Sequence, residues 1–307
     1  MKLVVPVESI VQNKGGVILY DPFENQIIKQ YVHNRVWRRV GWRGGVIHDK
    51  YLIATDWNEL HYFDLEKWKY EKTFRKNTFN DLHYLSVRKD KLFVVNTGLD
   101  AVEVFKNPLE PEFLKIIFVF KSNSKKFRSR KINLDSLYNQ EYKLKPHSCH
   151  PNCISFEGDF VFVTCFQKQH KMGTGEVVEL RTGQTLTKKR YDLHDGMFYK
   201  GNFYLSVTRS GRVMIFRKMI KKLKQGKWPL LPNDTIVLKS KGWWRGMVFE
   251  KDTMFIFSSC GYNKKKRPAR IAIVDLISMK KDIKRLPVVG GINWDTIYQP
   301  CVWKNEK

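Results

Sequence analysis

Residues 194–208 read HDGMFYKGNFYLSVT. A polar pair, His194-Asp195, opens onto an apolar run, a Lys-Gly turn interrupts it, and a second apolar run completes the stretch. Two short runs rich in aromatic and β-branched residues around a Gly-containing turn are the sequence form of a β-hairpin. The form recurs along the chain: RGGVIHDKYLIAT from Arg43, DLHYLSVRKDKLFVVNT from Asp81, HPNCISFEGDFVFVT from His150 and RGMVFEKDTMFIFSS from Arg245. The turns are HDK, RKDK, EGD, KGN and EKD.

The segments C-terminal to the hairpins repeat as well. NELHYFDL, DAVEVFKN, GEVVELRT, GRVMIFRK and ARIAIVDL alternate apolar and polar residues as third strands, and YEKTFRK and QTLTKKRYDL are candidate fourth strands. Four antiparallel strands per repeat is the blade of a β-propeller. The termini supply one more blade. KLVVPVE, GGVILYD and IIKQYVH read as three strands, and the C-terminal GGINWDTIYQP reads as a lone strand that completes them. Joining the two ends removes the exposed sheet edges. The expected fold is therefore all-β, a six-bladed β-propeller of about 50 residues per blade, in a single domain over residues 1–307. Blade cores are expected near 43–70, 81–106, 150–190, 194–218 and 245–280, with a closing blade of 1–33 plus 288–303. A β-sandwich or two small β domains would also show evenly spaced strands, but would not repeat the polar-to-apolar start. Two insertions interrupt the pattern. Residues 121–146 are basic and poor in apolar residues, and 216–234 carry Met219, Ile220 and Leu223 at helical spacing among lysines. The second is read as a segment packed on its own domain, with a membrane-surface helix as the alternative.

With 56 Lys and Arg against 30 Asp and Glu, the net charge is +26. Such an excess attracts polyanions, whether nucleic acid, anionic glycan or phosphorylated and sulfated small molecules, or it serves solubility alone. No stretch approaches the roughly 20 apolar residues of a membrane span, and the opening MKLVVPVESIVQNKGG is too broken for a signal-peptide core. Five cysteines without a CxxC pair fit a reducing compartment. A cytoplasmic protein is expected.

In a propeller the innermost strands surround a channel, so the first residues of the five hairpins converge although they are far apart in sequence. Those positions hold Arg43, Asp81, His83, His150, Asn152, His194, Asp195 and Arg245, with Asp295 from the closing strand. Polar groups converging in a concavity are the default candidate for a site. Histidine works as acid, base or metal ligand near neutral pH, and arginine offers a planar fork to carboxylate, phosphate or sulfate. The competing reading is that such residues tie neighbouring blades together.

Within this set, residues 147–153 read HSCHPNC. A zinc site made of this segment alone would have to wrap its ligands round one ion, whereas structural zinc draws on separated ligand pairs. The segment is better read as the rim and start of an inner strand, with His150 and Asn152 facing the axis and Cys153 and Cys165 facing the sheet packing. A divalent metal held across blades by His83, His150 and His194 is the more reasonable metal site.

The CHPNC…GDFVFVT and HDGMFYKGNFYLSV segments resemble the bacterial arylsulfate sulfotransferases, six-bladed propellers with an HxN motif in one blade and an HD motif in the next. The resemblance implies a sulfuryl-handling role for His150, Asn152 and His194; the family's arginine after the HxN strand has no counterpart in VTCFQKQ. The gluconolactonase-like lactonases are also six-bladed, and that resemblance implies a central divalent cation on Asn152, Asp195 and Asp295. The whole pattern looks closer to uncharacterised propellers of bacterial or phage origin.

Two functions are expected from these residues. One is an enzyme, a transferase, hydrolase or lyase, acting on a small or oligomeric anionic substrate in the channel mouth. Arg43, Arg245, Asn152, Asp81 and Asp295 would bind it, and His150, His194, Asp195 and His83 would carry the chemistry. The other is a binding scaffold for a polyanion or a protein. There, the tryptophans of WRRVGWRGG and KGWWRGM would stack nucleic-acid bases, unless they pack between blades.

Overall fold

In the computed structural model, residues 1–9, 12, 14–33, 41–119, 149–166, 175–186, 192–227, 230–238, 243–259, 269–292, 294, 296–297 and 299–304 are described. They form six antiparallel sheets arranged as the blades of a propeller. Blade 1 holds β1 (Lys2–Ser9), β2 (Lys14–Asp21) and β3 (Gln26–His33). Blade 2 holds β4 (Gly45–His48), β5 (Tyr51–Thr55), β6 (Glu59–Asp64) and β7 (Lys69–Arg75). Blade 3 holds β8 (Leu82–Arg88), β9 (Lys91–Asn96), β10 (Ala101–Lys106) and β11 (Glu112–Phe118). Blade 4 holds β12 (Pro151–Glu157), β13 (Phe160–Cys165) and β14 (Glu176–Glu179). Blade 5 holds β15 (Leu193–Tyr199), β16 (Asn202–Val207), β17 (Arg212–Phe216) and β18 (Asp234–Val237). Blade 6 holds β19 (Trp243–Glu250), β20 (Thr253–Ser259), β21 (Arg270–Asp275) and β22 (Lys281–Arg285).

The inner strand of blade 1 comes from the other end of the chain, in two pieces. β23 (Thr296–Ile297) and β24 (Cys301–Trp303) both pair with β1. The expected closing strand is thus present, but broken between the two pieces. In blade 4, the expected fourth strand around QTLTKKRYDL contributes an isolated bridge, Thr185 to Val178; 187–191 lie outside the described residues. The insertion at 121–146 also lies outside them. In the other insertion, a six-residue helix α1 (Met219–Lys224) buries Met219 and Leu223 in the core shared with blades 4 and 5. Its apolar stripe is therefore covered by the protein itself. Among the described residues no helix is long and apolar enough to cross a membrane.

The core is a ring of six clusters, one between each pair of neighbouring blades. Strand periodicity makes this possible. Alternate side chains point to opposite faces of a sheet, so one strand feeds two cores. On β20, Met254 and Ile256 pack toward blade 5 while Phe255 and Phe257 pack toward blade 1. On β9, Leu92 and Val94 face blade 2 and Val95 faces blade 4. Both faces of the middle strands are buried, which explains their nearly continuous apolar runs. The outermost strands β7, β11 and β22 are mostly exposed and carry Lys69, Lys72, Lys115 and Lys281, a charge pattern that blunts sheet edges.

Each first hairpin closes through a two-residue loop, as the pairs His48–Tyr51, Arg88–Lys91, Glu157–Phe160, Tyr199–Asn202 and Glu250–Thr253 define. Positive φ recurs in these loops, at Asp49, Lys89, Asp90, Gly158, Lys200, Gly201 and Lys251. That backbone matches the right-handed twist of the flanking strands.

Candidate functional site at the channel mouth

At the opposite ends of these hairpins, four of the inner strands begin with the same irregularity. The register to the second strand slips between Leu82 and Tyr84, between Pro151 and Cys153, between Leu193 and Gly196, and between Arg245 and Met247. A bulge of this kind adds a residue, bends the strand and re-aims a side chain. The residues re-aimed are His83, Asn152, the His194-Asp195 pair and Gly246. Simple alternation would have put His150 and Asn152 on one face of one strand. Instead β12 begins at Pro151, His150 precedes it with φ 50°, and Asn152 sits in the bulge.

The contacts between these groups run from blade to blade. Arg43 Nη1 donates to Asp81 Oδ1 at 2.6 Å, and the Arg43 guanidinium lies over the Trp57 ring at 4.5 Å. His83 Nδ1 faces the Asp81 carbonyl at 3.0 Å and the Asp81 carboxylate at 3.5 Å. Its ring meets that of His150 edge-on, with centroids 5.1 Å apart. His150 is held in turn by its backbone N–H, which donates to Asp100 Oδ1 at 3.0 Å. Further round, His194 Nδ1 and Asp195 Oδ1 are 3.0 Å apart. Asp195 Oδ2 accepts from the Gly246 N–H at 2.5 Å, a contact made at φ 71°, where glycine is favoured. Arg245 immediately precedes that glycine. Cys153 Sγ lies 3.4 Å from the Gly196 carbonyl, and Cys153 and Cys165 are both within the core, as expected. Cys149 is buried rather than at a rim, with Sγ 3.3 Å from Asp100 Oδ1. His147 and Asp295 lie outside the described residues.

The electrostatics follow from burial. His83 is 7% exposed. Burial pushes its pKa well below the ordinary imidazole value; Asp81 opposes this but is outweighed, and the charges of His150 and Arg43 add to the lowering. A neutral His83 that donates from Nδ1 to the Asp81 carbonyl presents a lone pair on Nε2. Burial likewise raises the Tyr84 hydroxyl well above its ordinary value, with Cys153 and Asp195 adding to the effect. Tyr84 thus stays a neutral phenol beside the ring residues. Asn152 is the exception to the pairing. It is 1% exposed, and neither Oδ1 nor Nδ2 has a hydrogen-bond partner. A carboxamide buried without partners costs about 1–3 kcal/mol for each group left unsatisfied.

A second cluster stands just outside this ring and was not anticipated from the sequence. The segment DWNELH places Asp56, Glu59 and His61 together, all buried, with donor atoms within 4.8 Å of one another. Among the described residues, this is the group with metal-ligand proximity. His61 Nε2 is 2.9 Å from Asp56 Oδ2, Arg75 Nε is 2.5 Å from Glu59 Oε1, and the His61 ring stacks on Trp42 at 5.1 Å. Burial favours the protonated form of Asp56, but His61 and the backbone amides of Asn58 and Glu59 outweigh it and lower the pKa. These partners balance the carboxylates within the protein, so the trio reads as a buried charge network. The D-x-x-E-x-H spacing is the signal in the sequence, and the third-strand pattern absorbs it.

Trp42 and Trp244 are fully buried between blades, which removes both from any base-stacking surface. Trp243 stacks on Phe166 with centroids 5.7 Å apart.

No known protein family and no curated protein matches the chain. Solved structures do. One is a chain of a nidogen/laminin complex, at 11% identity and TM-score 0.61 over 98% of this chain and 97% of that one. Another is a protein of unknown function from Bacteroides caccae, at 10% identity and TM-score 0.64 over 98% of each chain. A third is the β-propeller domain of Myceliophteria thermophila Cps50 (Swd1), at 10% identity and TM-score 0.51 over 89% of this chain and 81% of that one. Sequence likeness this low speaks to architecture alone, and the architecture is a six-bladed β-propeller.

Proposed function

We propose that the polar channel mouth binds a small oxyanionic substrate and acts on it by proton transfer. The observation that carries this reading is Asn152, whose carboxamide is buried with both polar atoms unpartnered, in the bulge of an inner strand that packs between those carrying His83 and His194. A protein retains such a group at a stability cost when a guest uses it. The guest accepts from Nδ2, and Arg245 adds positive charge at the same mouth. Asp195, fixed by the Gly246 N–H, orients His194 through Nδ1, the arrangement by which a carboxylate sets an imidazole for acid–base work. His83, kept neutral by burial, supplies a second base. Arg43 is already paired with Asp81, so its role is to hold the ring together more than to clamp the substrate.

The test uses inorganic sulfate, inorganic phosphate and their p-nitrophenyl esters. Saturable thermal stabilisation by one of these anions, lost in Asn152→Leu, supports the reading. Ester turnover that His194→Gln removes supports the chemistry. Absence of stabilisation by all four, or stabilisation that persists unchanged in Asn152→Leu, overturns it.

A second reading rests on a different observation, the belt of lysine and arginine on the outermost strands, including Lys29, Lys69, Lys72, Arg75, Lys115, Lys281 and Arg285. A polyanion such as nucleic acid or an anionic glycan would follow this circumference by charge alone. Its affinity would fall steeply with salt and would not respond to changes at Asn152 or His194.

A further inference from the structure

At the other end of the inner strands, a cavity of about 450 Å³ opens among blades 3, 4 and 5. Small-molecule sites span about 300–1,000 Å³. Its lining comes mostly from the later residues of β8, β12 and β15, with Tyr84, the residue that follows the first bulge, as a further lining group. The walls divide by chemistry. Ile154, Met197 and Phe198 give an apolar face. Ser155 is 8% exposed, and its Oγ is buried without a hydrogen-bond partner. Arg88 stands at the rim with its guanidinium over Phe156 at 5.0 Å, and Nη2 donates to the Gly158 carbonyl. That bond uses one of the five N–H donors of the guanidinium and fixes the plane of the rest. Glu157 lines the same rim.

We propose that this cavity binds a small amphipathic monocarboxylic acid. The carboxylate lies on the Arg88 fork, which suits it by planar, two-point geometry, and accepts the Ser155 hydroxyl. The aromatic or branched aliphatic body lies on Ile154, Met197 and Phe198. Glu157 narrows the choice of head: a dianionic phosphate would meet its charge, whereas a single carboxylate meets a rim with one cation and one anion. The residues that would hold the acid are distinct from those of the polar mouth, so the site stands whether or not that mouth is catalytic.

The probe is the set of methionine methyl groups, followed by NMR in methyl-labelled protein, with eight methionines in the chain. Phenylacetate and isovalerate are titrated beside phenyl phosphate, phenethylamine and benzyl alcohol. Saturable movement of the Met197 methyl signal is expected with the two acids. Affinity should fall at least tenfold in Arg88→Gln and several-fold in Ser155→Ala, with the remaining methyl signals reporting that both variants are folded. The Asn152→Leu variant should bind the acids as the wild type does. The proposal is overturned if Met197 does not respond to either acid at millimolar concentration. It is overturned equally if phenyl phosphate, phenethylamine or benzyl alcohol binds as well as phenylacetate, or if Arg88→Gln leaves the affinity intact.

Discussion

The side chain of Gln299 and the backbone of Leu85, 214 positions apart in the chain, exchange two hydrogen bonds. Nε2 donates to the Leu85 carbonyl at 2.8 Å, and the Leu85 N–H donates to Oε1 at 3.1 Å. The same Oε1 accepts the Gly45 N–H at 3.0 Å. One amide from the C-terminal segment therefore occupies the inner edges of blades 2 and 3, where an additional strand would otherwise pair. Ring closure thus has a polar component beside the pairing of β23 and β24 with β1.

Replacing Gln299 by Leu leaves two N–H groups and one carbonyl buried without partners. At about 1–3 kcal/mol for each such group, the expected loss is about 3 kcal/mol or more. Urea unfolding should show a lower midpoint with the slope unchanged. A variant as stable as the wild type would show that the amide contributes little to closure.

His83 sets a pH dependence. Its pKa in the folded protein lies below that of the unfolded chain, so the unfolded chain binds more protons as pH falls below about 6.5. Stability is complete above that pH and declines below it, by up to about 1.4 kcal/mol per pH unit for this one group. His83→Gln removes this component. The difference in melting temperature between pH 7 and pH 5 should be smaller in the variant than in the wild type; equal differences would show that His83 does not titrate in this way.

The Asp195 carboxylate is predicted to orient the His194 ring for proton transfer more than to hold the fold. Asp195→Asn retains the shape and an acceptor for the Gly246 N–H while removing the charge. The maximum rate of ester turnover should fall by at least tenfold, with a change in unfolding free energy of about 1–2 kcal/mol. Turnover that matches the wild type would remove Asp195 from the chemistry.

The architecture was legible because the paired apolar runs of HDGMFYKGNFYLSVT and its four partners, split by a tight turn, reflect packing on both faces of each blade. Strand positions follow from that rule alone, and the expected third strands appear as β6, β10, β14, β17 and β21. The mouth was legible in composition but not in aim. His83, Asn152 and the His194-Asp195 pair lie in bulges, and a bulge breaks the alternation from which facing is inferred. The pairing of Arg43 with Asp81 and the role of Gln299 depend on contacts between blades distant in sequence, which no local pattern records. The cluster of Asp56, Glu59 and His61 was hidden for the opposite reason: its residues are so close together that they read as part of one strand.

The cavity at the far mouth adds a stability prediction. Ser155→Ala removes an unpartnered buried hydroxyl beside an existing cavity, which should leave the stability of the protein unchanged to within about 1 kcal/mol. A clear loss would show that Oγ has a structural partner in solution.

The unpartnered carboxamide of Asn152 is the foundation of the functional reading, and unfolding of Asn152→Leu tests it most directly. The substitution keeps the volume and removes two unsatisfied polar atoms, so the free energy of unfolding should rise by about 1–2 kcal/mol while stabilisation by sulfate or phosphate disappears. If the variant is instead less stable than the wild type, Asn152 holds the blades together, and the channel mouth is a structural joint rather than a binding site.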